Sequence, residues 1–177
     1  VAAAQFWDPF GPLTLENLSG SHILAQSQEE FWLKTALIAD AVFMNQDFIS
    51  ERNDVAVKTL QALYDAITWW SKNPAEGNEI IARNLKMPVE DVELVIGKDG
   101  TGKDGGLYPY HFIESARFCG VAEGEPPFGQ TNGQIADHFR MTNDWWIKFG
   151  QMTKTVDPSE GIDCSIMGDL YKAGYGQ

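Results

Sequence analysis

Catalytic signatures are the plainest absence in this sequence. It contains no Gly-x-Ser-x-Gly, no His-Glu-x-x-His and no Cys-x-x-Cys, so nothing points to a serine hydrolase, a zinc protease or a thiol redox enzyme. Basic residues are scarce: 13 Lys and Arg stand against 25 Asp and Glu, giving a net charge of -12. They are also scattered, which speaks against nucleic acid and against an anionic membrane surface as partners. No apolar run approaches the roughly 20 residues that a bilayer span requires. No initiator Met and no basic leader precede Val1, so the chain is expected to be processed, excised or a fragment. Cys119 and Cys164 are too few for a disulfide scaffold and too far apart for a zinc site. Paired, they would close a loop worth roughly 4 kcal/mol in the chain-entropy model. The burial habits of free cysteine favour two separate core residues instead.

What is present suits one globular unit: 177 residues, 44% of them hydrophobic and 21% charged. A chain of this length buries roughly 70% of its unfolded surface. Short apolar runs at residues 2–7, 21–25 and 36–44 predict strands, the last built around a single carboxylate, Asp40. Between the first two, Asp8-Pro9-Phe10-Gly11-Pro12 predicts a turn with no regular element. Helical periodicity then takes over. Asn45 and Asn53 are placed to cap helices. Ala56, Leu60, Leu63, Ile67 and Trp70 share one face of a helix over residues 53–72, and Asn73-Pro74-Ala75-Glu76 predicts a capping box for a helix to about Leu85. Pro88 opens a shorter helix that Gly97 ends. Five glycines in residues 97–106 predict a flexible loop. Ile135, Phe139, Thr142, Trp146 and Phe149 mark another helix with Gly150 beyond its end, and a short helix is predicted over residues 165–173. Three short strands make a poor sheet for so many helices.

Gly97-Lys98-Asp99-Gly100-Thr101-Gly102-Lys103-Asp104 matches a nucleotide phosphate loop through its Lys and then fails. Asp104 stands where Ser or Thr would hold magnesium, and the following Gly-Gly and Tyr-Pro pairs prevent the helix that would face the phosphates. The same loop lacks the alternating carboxylates of a calcium hand. His22, His111 and His138 lie apart from any ligand-spaced partner and read as structural. In each tandem pair, Trp69-Trp70 and Trp145-Trp146, the second ring falls on the apolar face and is expected in the core. Trp7 differs, because it stands where an apolar run meets a Pro-bounded turn. There it offers a flat apolar wall and an N–H donor, and Asp8 offers an acceptor.

Taken in order, these segments resemble the solute-binding proteins of nitrate, sulfonate and taurine type ABC importers, which include binders of thiamine-precursor pyrimidines. The resemblance lies in Ala2-Ala3-Ala4-Gln5-Phe6-Trp7-Asp8-Pro9-Phe10, similar to a strand ending in a tryptophan and a Pro-aromatic turn. It continues in His22-Ile23-Leu24-Ala25-Gln26-Ser27 as the next strand and in Leu37-Ile38-Ala39-Asp40-Ala41-Val42-Phe43-Met44 as the crossover strand. Asn45-Gln46-Asp47-Phe48-Ile49, the helix ending at Asn73-Pro74, and Trp145-Trp146-Ile147-Lys148-Phe149-Gly150 before Asp157-Pro158 complete it. The resemblance implies an α/β, type 2 periplasmic-binding-protein-like fold, of which this chain is the helix-rich C-terminal portion. Residues 1–36 would end the second lobe, and residues 37–177 would form the return crossover and the helical part of the first. It further implies a small-molecule ligand held by Trp7, Asp8 and Asp40, delivery to an ABC permease, and a periplasmic or lipid-anchored extracellular location. It implies no catalytic residue, metal or cofactor. For Asp40 the rival reading is a hinge carboxylate bonded to backbone amides. Two alternatives belong to other classes. One is an enzyme like the fungal pyrimidine synthases of the same superfamily, against which stands the lack of a cysteine cluster. The other is a helical protein that buries its apolar faces in a homo-oligomer.

Overall fold

The computed structural model describes residues 3–35 and 38–176. Among them the chain is helical throughout, with no strand: α1 (Phe10–Asn17), α2 (Glu30–Thr35), α3 (Gln46–Glu51), α4 (Asn53–Lys72), α5 (Pro74–Leu85), α6 (Val89–Ile96), α7 (Phe112–Phe118), α8 (Ile135–Lys148), α9 (Pro158–Gly161) and α10 (Ser165–Lys172). The expected α/β, periplasmic-binding-protein-like fold is therefore overturned. Residues 3–7, 21–25 and 38–44 form no strand, because an apolar run becomes one only beside another that takes its N–H and C=O groups. Ala2, Ala36 and Leu37, at the heads of two expected strands and at the expected domain boundary, lie outside the described residues.

The chain forms two compact units, Val1–Gln26 with Ala62–Pro109 and Ser27–Gln61 with Tyr110–Gln177. In the first, α5 packs on α6. Its centre is polar: Asn78 is fully buried, accepts from Trp70 Nε1 at 2.8 Å and donates through Nδ2 to the Gly97 carbonyl at 2.9 Å. Trp70, Ala82 and Val92 are buried in the same unit. The glycine-rich stretch is a packed loop rather than a flexible one. Asp104 accepts from Lys98 N at 3.0 Å, Asp99 accepts from Thr101 N and Oγ1, and Gly106 and Leu107 donate to Leu94 and Val95 carbonyls. Gly100 has φ +79 and lies against the Ser71 carbonyl, where a Cβ would not fit.

Of the expected turn at residues 8–12, Asp8 and Pro9 do form a turn, but Phe10, Gly11 and Pro12 begin α1. Gly11 and Pro12 fall in its first turn, where a missing N–H costs nothing because those donors have no intrahelical partner. Asn45 caps α3 as expected, accepting from Asp47 N at 2.8 Å and Phe48 N at 3.2 Å. Asn53 is the first residue of α4, and the Arg52 carbonyl accepts from Val55 and Ala56. Asn73 makes no side-chain cap for α5, because its Nδ2 donates back to the Trp69 carbonyl at 2.9 Å.

In the second unit α7 packs on α10, with Phe112, Ala116, Phe118, Ile166, Met167 and Leu170 buried. Cys119 and Cys164, expected to be separate, form a disulfide. It joins the residue after α7 to the residue before α10, 6.1 Å apart at Cα. Phe112 meets Tyr175 edge to face at 4.7 Å, and the Tyr175 hydroxyl donates to the Gln61 carbonyl. Asn143 of α8 ties the chain before α9: it donates to the Val156 carbonyl at 3.0 Å and accepts from Val156 N at 3.2 Å.

Candidate functional site

Trp7 is 77% exposed and lies three residues before the start of α1, its carbonyl accepting from Phe10 N at 2.9 Å. Asp8 is half-buried, and its carboxylate lies so close to Gly106 that a Cβ at that position would have to displace it. These two belong to the first unit. Asp40 belongs to the second, in the irregular exposed segment that links residue 38 to α3. Its side chain accepts no hydrogen bond among the described residues, so a carboxylate tied to backbone amides is not what the structure has there.

No described helix is long and apolar enough to cross a membrane, and no cluster of three or more His, Cys, Asp or Glu among the described residues could hold a metal. No protein-family model, curated protein or solved structure matches this chain.

What the structure does display is apolar surface. Trp7, Phe6 and Phe10 are exposed around the start of α1, and Ile38, Val42 and Phe43 are exposed in the segment before α3, Phe43 to 89%. A third group lies at the end of α8. Trp145 stacks on Phe149 at 5.6 Å with 14° between the rings, and the Lys148 ammonium sits 4.5 Å above Trp145. Trp145, Trp146, Phe149 and Gln151 line a shallow cleft of about 200 Å³. Trp146, expected in the core, is 49% exposed, whereas Trp70 is 6% exposed as expected.

The second unit also contains a buried polar array that sequence reasoning missed. Gln130 is buried, accepts from the Tyr110 hydroxyl at 2.6 Å and donates to the Leu33 carbonyl at 2.7 Å. Burial pushes the Tyr110 phenol up to about 12. Gln134 donates to the Lys34 carbonyl at 2.7 Å.

Proposed function

We propose that this chain is a helical interaction protein whose exposed apolar segments are covered by a second copy of itself. One observation carries the reading, the amount of surface. The chain exposes 12066 Å². A compact protein of 19.7 kDa exposes about 8,600 Å², and two wholly separate compact units sharing that mass expose about 10,400 Å². The excess over even the second figure is about 1,700 Å², roughly twice what each partner buries in a standard interface. A second copy fits because the segments concerned carry almost no charge. Residues 3–7 hold none and residues 38–44 hold Asp40 alone, so pairing them does not bring the net charge of -12 face to face with itself. Disulfides persist mainly in oxidising settings, so the Cys119–Cys164 bond supports a periplasmic or extracellular location.

Sedimentation equilibrium tests this. The chain is expected to form a closed dimer or larger oligomer at micromolar concentration, and Phe43→Asp is expected to shift it to monomer with unchanged helical circular dichroism. A wild-type chain that stays monomeric, or one that grows without limit, overturns the reading.

A second reading, capture of a small molecule for an ABC permease, is favoured by the side-by-side placement of exposed Trp7 and acidic Asp8. It predicts measurable heats on titration with taurine, nitrate or an aminopyrimidine that Trp7→Ala abolishes. The absence of heat with all three removes it.

A further inference from the structure

We infer that residues 40–44 pair as an antiparallel β-strand with the same segment of a second copy, across a two-fold axis at Val42. This contact is one that makes the self-association proposed above, on which it depends. In residues 38–44 no backbone N–H or C=O group has a hydrogen-bond partner among the described residues. None of these residues lies in a helix, and none has a positive φ, so nothing has to unwind before the segment can extend. Ile38, Val42 and Phe43 are 69%, 54% and 89% exposed. β-Branched and aromatic side chains on a backbone with open donors and acceptors are what one strand offers to another chain.

Charge and side-chain size choose the direction and the register. Asp40 is the only charged residue in the segment. Parallel pairing in register sets two Asp40 carboxylates side by side on strands about 4.8 Å apart, where like charges repel. Antiparallel pairing centred on Ala41 leaves the two Asp40 Cα atoms about 8 Å apart, no farther than the screening length. Centred on Val42, it moves them about 14 Å apart, well beyond that length. In this register Asp40 lies opposite Met44 of the second copy, and each Phe43 lies opposite the small Ala41. The two Phe43 residues then become diagonal neighbours on one face, about 8 Å apart at Cα and within reach of aromatic rings. The same patch serves both copies, so the contact is self-complementary under a two-fold axis.

Cysteine cross-linking in the full chain tests the register. Both native cysteines are held in the Cys119–Cys164 bond, so an introduced one is the sole free thiol. At the axis the Cα atoms of two Val42→Cys chains would lie about 4.5–5.5 Å apart, inside disulfide reach, whereas those of Asp40→Cys would lie about 14 Å apart, beyond it. Val42→Cys should therefore give a covalent dimer on mild oxidation, at least about tenfold faster than Asp40→Cys. Equal rates, or faster linking at residue 40, overturn the pairing. Hydrogen exchange on the wild type needs no variant. With about nine chains in ten paired, alternate amides of residues 40–44 should exchange about tenfold more slowly than in dilute monomer, and amides of α5 should not change. A dimer in sedimentation whose amides at residues 40–44 all exchange freely overturns the pairing and leaves the self-association standing. A chain that stays monomeric removes both.

Discussion

At the scale of single residues, Asn78 shows why the first unit has a fixed arrangement. One amide satisfies the Trp70 indole and the Gly97 carbonyl at once, each within 2.9 Å and all out of water. Asn78→Leu would leave a buried donor and a buried acceptor unpaired. The expected loss in urea unfolding is about 2–5 kcal/mol, and a loss under about 1 kcal/mol would deny Asn78 this role. Nothing in the sequence marked this residue, because periodicity counts apolar positions and Asn78 is a polar one on a buried face. The same limit hid the order of the glycine-rich loop. Its composition announces freedom, yet Gly100 is there because the Ser71 carbonyl leaves no room for anything larger.

At the scale of elements, the helices with long apolar periods were legible. The sequence places α4, α5, α6, α8 and α10 within a residue or two of where they are: in α4 and α8 a period of 3.6 sustained over several turns matches the helix and no other regular backbone, and Pro74 and Pro88 mark where α5 and α6 open. The faces were less legible than the helices. In α4 Ala56, Leu60 and Trp70 are buried as the period predicts, but Tyr64 is buried where Leu63 was expected, and in α8 the expected core ring Trp146 is exposed while Asn143 is buried. Short helices such as α1, α2, α7 and α9 carry fewer than three turns of pattern, too few for a period to show in the sequence. The apolar runs were read as strands because a run of four to eight residues cannot by itself declare whether a neighbour exists. A pair of substitutions checks the corrected faces. Trp70→Ala should cost about 3–5 kcal/mol, whereas Trp146→Ser should change stability by less than about 0.5 kcal/mol. Similar costs for both, read from urea midpoints, would return Trp146 to the core.

At the scale of the whole molecule, the sequence yields charge and composition but not long-range pairing. The two cysteines are separated by 45 residues, and only the packing of α7 on α10 brings them within bonding reach. Reduction, or Cys164→Ser, should therefore remove about 4 kcal/mol by releasing the unfolded chain from its loop. An unchanged urea midpoint after verified reduction would show that helix packing alone closes this region. The site suffers from the same limit at larger range. Trp7, Asp8 and Asp40 are visible as chemistry in the sequence, but what covers them depends on surfaces that no local pattern encodes.

The bond between Cys119 and Cys164 also makes a ring of covalent chain that encloses α8 and α9. A protease that cuts anywhere in residues 120–163 would break the backbone without parting the molecule. On a denaturing gel the nicked protein would run as one band until a thiol is added, and only then separate into two, so that damage inside this ring stays hidden for as long as the surroundings remain oxidising.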